Sequence, residues 1–290
     1  MKAGVIGLGA MGANMARNLA KAGYLESIFN RTQTKADALA NELKVNVADS
    51  PASLASQCEL IILCVSRDAD VLEMVNAISS SLNTNSIVVD TSTVSADTAK
   101  QAAIILNDVG THFLDCPVSG GVEGAKNGTL AMMVGGDETI LKKAKVTLDV
   151  IAGNIVYIGP TGAGQATKAV NQIMAAGINQ AVTEALAFGK AMGLPMNKVV
   201  DIVSTGAAGN WFLQHRGKTM LADSYEPGFK LALHHKDLSI CKSMIEKLGE
   251  NLLPTVEMTL VHYERLMQQG HGDEDISALF RLKQELFETT

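Results

Sequence analysis

The stretch Val5-Ile6-Gly7-Leu8-Gly9-Ala10-Met11-Gly12 decides the fold. It sets glycines in the order G-x-G-x-x-G between an apolar run at residues 2–6 and a segment of helical character at residues 10–22 that stops at Gly23. Strand, tight turn and helix start is the context that gives this pattern meaning. Small residues let the backbone approach a pyrophosphate, and the helix start offers it N–H groups and a partial positive charge. Gly7, Leu8, Gly9, Ala10, Met11 and Gly12 therefore read as a dinucleotide-binding turn.

The next strand, residues 25–30, discriminates between cofactors. It ends in Phe29-Asn30-Arg31-Thr32. NAD-binding chains usually place Asp or Glu there, about 20 residues past the glycines, to bond the ribose 2′-hydroxyl. No carboxylate stands at this tip, and Glu26 comes too early in the strand. Arg31 suits a 2′-phosphate, with Asn30 and Thr32 adding hydrogen bonds. The expected cofactor is NADP, with NAD still admissible.

Working outward, strands and helices alternate through the first half. Residues 60–65 (LIILCV) form a continuous apolar run, as expected of a strand buried on both faces of a parallel sheet, and Val65 at its end is counted with the cofactor site. Residues 86–90, 112–116 and 130–134 read as further strands, and 34–43, 68–79 and 96–107 as helices. The expected architecture is α/β, an N-terminal Rossmann-type doubly wound parallel sheet. After Gly159-Pro160 the strand signals largely disappear. Residues 162–192 read as one long hinge helix leading into an all-helical C-terminal domain, with further helices at 196–204, 229–248 and 254–269. The domains are expected at 1–161 and 162–290.

Composition sets bounds on function. Hydrophobic residues make up 47% of 290, ample for two cores. A net charge of −6 argues against a nucleic-acid partner, since phosphate backbones need a basic face. No apolar stretch is long enough to span a membrane. The four cysteines, Cys58, Cys64, Cys116 and Cys241, form no C-x-x-C pair and suit a reduced cytoplasmic protein. Neither His nor Cys spacing suggests a metal site.

Four stretches exceed what the fold alone requires. Asp90-Thr91-Ser92-Thr93 follows a strand, where ligands gather in open α/β sheets. Asp115-Cys116-Pro117-Val118-Ser119-Gly120-Gly121 is a glycine-rich loop after a strand, suited to cradling a small carboxylate. Gly162-x-Gly164-x-x-x-Lys168-x-x-Asn171-Gln172 opens the long helix, with Lys168 and Asn171 on one face. Phe229-x-x-x-Leu233-x-x-Lys236-Asp237-Leu238 is the fourth.

Jointly and in this order, over nearly the whole chain, these stretches resemble the β-hydroxyacid dehydrogenase family. That family includes 3-hydroxyisobutyrate dehydrogenases, tartronate semialdehyde reductases and glyoxylate/succinic semialdehyde reductases. The resemblance implies Lys168 as catalytic acid/base and Asn171 orienting the reacting oxygen. It implies Ser119, Gly120 and Gly121 on the substrate carboxylate, Thr93 near the nicotinamide ribose, and Lys236 over the cofactor's nicotinamide end. The chemistry agrees, because oxidising an alcohol requires a base at the hydroxyl as hydride leaves carbon. Trp211, in Gly206–Phe212 (GAAGNWF), is the candidate pocket wall and resembles the 3-hydroxyisobutyrate-type members, whereas Asn30-Arg31-Thr32 resembles the NADPH-using aldehyde reductases. The expected partner is a small carboxylate substrate, and the apolar hinge helix suggests a homodimer or homotetramer. An imine reductase usually lacks the lysine, so Lys168 counts against that rival. A non-catalytic NADP-binding module and promiscuity across several C3–C4 acids, with no single native substrate, are the others.

Overall fold

The structure is a computed structural model describing residues 1–249 and 252–287. Nine strands are described: β1 (Ala3–Ile6), β2 (Leu25–Phe29), β3 (Asn46–Val47), β4 (Leu60–Leu63), β5 (Ile87–Asp90), β6 (His112–Asp115), β7 (Val118–Ser119), β8 (Leu130–Gly135) and β9 (Ala152–Gly159). Seven helices accompany them: α1 (Gly12–Lys21), α2 (Gln33–Leu43), α3 (Pro51–Gln57), α4 (Asp68–Ser79), α5 (Ala96–Asn107), α6 (Gly121–Asn127) and α7 (Glu138–Leu148). Then come α8 (Ala163–Ala191), α9 (Met196–Val203), α10 (Trp211–Leu221), α11 (Leu231–Glu246), α12 (Pro254–Gln268) and α13 (Leu279–Glu285). The chain divides into two compact units, Met1–Lys168 and Ala169–Thr290, with the boundary inside α8.

In the first unit the strands run in the order β3-β2-β1-β4-β5-β6, all parallel. Apolar alternation on both faces explains why these short runs are strands. Val5, Ile62, Val89 and Leu114 lie in register and pack with Met15 and Leu19 of α1. Ile61, Val88 and Phe113 face the other way, against Val71 and Val75 of α4 and Ala102 of α5. Each such side chain, fully buried, contributes about 1.5–3 kcal/mol. The strand order reverses between β1 and β4, which opens a crevice at their C-terminal ends. Gly7 follows β1 there, and Val65 lies just beyond β4.

Three differences from the sequence expectation have physical causes. The sheet is not wholly parallel, because β8 pairs antiparallel with β6 and β7 before β9 joins it in parallel. The loop expected after Asp115 is partly ordered, with Val118-Ser119 paired to β8 and Gly121–Asn127 helical. Strand β9 was missed because it is mostly exposed, with Val156, Tyr157 and Ile158 open to solvent, so its sequence shows no buried alternation.

Among the described residues the second unit is helical apart from one isolated bridge, Lys230–Asp275. Its core gathers Leu238, Val256, Tyr263 and Phe280. Asp275 is buried, yet it accepts from the N–H groups of Gly228, Phe229 and Ser277, the Ser277 hydroxyl and the Arg216 guanidinium. A buried carboxylate persists when its acceptor sites are filled this way. Asp275 is thus a structural anchor, and it also caps a 3-10 turn. Among the described residues no helix is long and apolar enough to cross a membrane.

Candidate active site

The three glycines of the opening turn do different jobs. A Cβ on Gly7 would lie 2.2 Å from the Cys64 carbonyl oxygen, and Gly7 has φ +97°. On Gly12 it would lie 2.0 Å from the Gly7 oxygen. Both glycines therefore let β1, β4 and α1 pack closely. A Cβ on Gly9 would meet nothing within 4 Å, so Gly9 leaves open the space a pyrophosphate requires. Helix α1 has no side-chain cap and no carboxylate in its first turn, so nothing on that helix competes with an anion there. The turn fits a dinucleotide.

At the β2 tip, the Asn30 side-chain oxygen Oδ1 accepts from the Leu8 N–H at 2.9 Å, and its side-chain amide donates to the Thr32 main-chain oxygen at 3.0 Å. Asn30 brackets the glycine turn to the tip, a holding role beyond the ligand contact expected of it. Thr32 is the N-cap of α2. The Arg31 side chain is 86% exposed and reaches Asp70 of α4 at 3.5 Å. Val65 lies against the turn, and its N–H donates to the Ser92 hydroxyl at 2.9 Å. Thr93 follows on that same segment.

A residue that sequence reasoning missed organises the start of α8. The Asp115 carboxylate accepts from the Gly162 N–H at 2.8 Å and the Gln165 N–H at 2.9 Å, capping the helix with a negative charge. Gln165 in turn donates to the Ser92 oxygen and accepts from the Val94 N–H. A Cβ on Gly164 would sit 2.5 Å from both the Asp115 and Met133 oxygens. Gly164 is therefore required by packing, which corrects the view that this motif exceeds the needs of the fold. Lys168 follows on the same helix, nearly buried, and its ammonium donates to the Val118 oxygen at 2.9 Å. That carbonyl immediately precedes Ser119, so Lys168 and the Ser119-Gly120-Gly121 segment are brought together.

Asp90 is the register partner of Asp115. It is fully buried, and one oxygen accepts from the Ser92 N–H. Burial pushes its carboxyl up to about 7, and the negative charges of Asp115 and Asp68 add to the rise. The unfolded value is about 3.9, so the native state holds a proton that the unfolded state releases. Stability from that proton is complete below about pH 4 and is lost as pH rises through about 7. Asp90→Asn is expected to gain on the parent over that window by up to about 4 kcal/mol. Urea unfolding of both proteins between pH 4 and 8.5 measures this, and parallel curves would refute it. Two thiols beside these motifs are not activated: burial pushes Cys64 up to about 11 and Cys116 well above its ordinary value.

In the second unit, Asn171 and Lys236 are linked through two residues given no role beforehand. The Asn171 side-chain amide donates to the Gln172 side-chain oxygen Oε1 at 2.7 Å, and the Gln172 side-chain amide donates to the Asp237 carboxylate at 2.6 Å. The other Asp237 oxygen takes the Lys236 ammonium at 2.8 Å. His234 is buried between the Tyr263 hydroxyl and the Gln172 carbonyl, a structural position. Trp211 starts α10, is 58% exposed, and stacks on His215 with centroids 4.2 Å apart.

A parallel sheet of this order, with an open glycine turn at its point of reversal, defines a dinucleotide-binding protein. Residues 2–159 match the NAD-binding domain of 6-phosphogluconate dehydrogenase, and 162–283 match the NAD-binding family of NADP-dependent 3-hydroxyisobutyrate dehydrogenase. The chain is 35% identical to the 2-hydroxy-3-oxopropionate reductase of Escherichia coli, over 96% of each chain. It is 35% identical to a probable 3-hydroxyisobutyrate dehydrogenase-like protein of Arabidopsis thaliana, over 96% of this chain and 84% of that one. A solved structure of Mycobacterium tuberculosis 3-hydroxyisobutyrate dehydrogenase with L-serine is similar at a TM-score of 0.87 and 29% identity, covering 97% and 98%. This chain belongs to the β-hydroxyacid dehydrogenase family, and is an NAD(P)-dependent oxidoreductase acting on CH–OH groups.

Proposed function

We propose that the chain is an NADP-preferring dehydrogenase that interconverts a small 3-hydroxy acid, of the 3-hydroxyisobutyrate kind, and its semialdehyde, with Lys168 as general acid/base. The observation that carries this is the nearly buried Lys168 ammonium held on the Val118 carbonyl, directly beside Ser119. A nicotinamide held at the glycine turn of residues 7–12 would supply the hydride acceptor or donor. In the oxidation direction Lys168 Nζ, as the neutral amine, takes the hydroxyl proton; in reduction its ammonium returns it. The Ser119 hydroxyl and the N–H groups of Gly120 and Gly121 hold the substrate carboxylate. Asn171, braced by Gln172, orients the reacting oxygen. The family resemblance assigns Lys236, which Asp237 fixes, to the nicotinamide end, Thr93 to the nicotinamide ribose and Trp211 to the pocket wall.

The preference for NADP is supported by the exposed Arg31 guanidinium at a tip without a carboxylate. That same tip favours a second reading, an NADPH-dependent glyoxylate/succinic semialdehyde reductase. A panel of glyoxylate, succinic semialdehyde, tartronate semialdehyde, 3-hydroxyisobutyrate and serine, run with each cofactor, tests both. The largest kcat/KM is expected for a C3–C4 3-hydroxy acid or its semialdehyde, with NADP(H). Equal or better use of NAD(H) refutes the cofactor preference. Binding of NADPH with no turnover across a broad panel favours a binding module.

A homodimer or homotetramer is part of the proposal. Val170, Met174 and Ile178 stand four apart on α8, at 57%, 63% and 37% exposure, an apolar stripe that a second copy would cover. The double variant Val170→Glu, Met174→Glu is expected to run at half the parent mass or less in light scattering. A parent that is itself monomeric refutes this.

A further inference from the structure

Helix α4 carries two carboxylates in its first turn, Asp68 and Asp70. Asp68 is occupied by the fold: it accepts from the Ser95 N–H at 2.9 Å and the Thr98 hydroxyl at 2.6 Å, joining α4 to α5. Asp70 is placed differently. Its side chain, only 22% exposed, has an oxygen 3.5 Å from Nη1 of Arg31, the cation at the β2 tip. The order β2-β1-β4 explains the meeting, since α4 follows β4 and the tip follows β2, both at the same end of the sheet.

We propose that Asp70 is a specificity-determining residue that weakens 2′-phosphate binding at Arg31 and so sets how far NADP is preferred over NAD. This rests on the assignment of Arg31 to the 2′-phosphate. A carboxylate beside that guanidinium acts twice against a phosphate. It competes for the same donors, and it repels a dianion brought within a few ångströms of it. NAD carries a neutral 2′-hydroxyl at that position and feels neither effect. The Arg31 end of the pair is open to water, so the effect is moderate. Two unit charges about 4 Å apart in water interact by an energy equivalent to roughly fivefold in affinity.

Isothermal titration of NADP⁺ and NAD⁺ into the parent, Asp70→Asn and Arg31→Ala proteins tests the proposal without any turnover measurement. Asp70→Asn is expected to tighten NADP⁺ by about fivefold and to leave NAD⁺ within twofold, with the gain shrinking as salt is raised. Arg31→Ala is expected to weaken NADP⁺ and leave NAD⁺ unchanged. If Arg31→Ala weakens NADP⁺ while Asp70→Asn leaves it unchanged or weakens it, Asp70 is a support for Arg31 and this proposal alone is overturned. If Arg31→Ala leaves NADP⁺ affinity unchanged, the 2′-phosphate assignment and the proposal fall together.

Discussion

Replacing Lys168 with alanine is expected to lower kcat by about 10²–10⁴-fold, the usual contribution of a positioned acid/base. The loss should appear equally in kcat and kcat/KM, because proton transfer acts at the transition state and not in ground-state binding. NADPH affinity should stay within a few-fold, since the turn proposed to cradle the dinucleotide is built from residues 7–12. Two features make the experiment demanding. Lys168 is nearly buried, and its ammonium also holds the Val118 carbonyl, so truncation leaves a space and strands a polar group. Lys168→Met keeps the apolar stem and separates loss of the amine from loss of packing. An added small primary amine should restore part of the activity in Lys168→Ala and none in the parent. If turnover of every small semialdehyde survives both substitutions, Lys168 is not the acid/base.

The glycine turn gives the second large effect, and it divides by residue. Gly7→Ala places a methyl group 2.2 Å from a backbone oxygen at a left-handed φ. Strain and overpacking together cost about 2–5 kcal/mol, enough to lower Tm by roughly 10 °C. In Gly9→Val the added Cβ meets nothing within 4 Å, so the melting temperature should hold while NADPH affinity falls about 10²-fold, as charge-assisted hydrogen bonds to the pyrophosphate are lost. Equal loss of stability in both variants would show that Gly9 serves the fold, not the ligand.

Much of the candidate site was legible in the chain because it is local. A G-x-G-x-x-G turn, a β2 tip ending in Asn30-Arg31-Thr32, and a lysine and asparagine one helical turn apart each need only a few consecutive residues. Residue types and spacing specify such features before any tertiary contact forms. The long helix was legible for the same reason: its expected span, 162–192, differs from the observed Ala163–Ala191 by one residue at each end. Short or exposed elements such as β3, α3 and β9 were not, because they bury too little for their sequence to carry a period.

What the sequence by itself determined is therefore the dinucleotide turn, the order of the motifs and the residue types offered for chemistry. Only the tertiary structure decided how they are held. Asp115 caps α8 from 47 residues away, and Asp70 meets Arg31 because β1 lies between β2 and β4. Strand order determines which distant carboxylate meets which N–H or cation. No local pattern encodes that order, because it follows from burying both faces of the sheet at once.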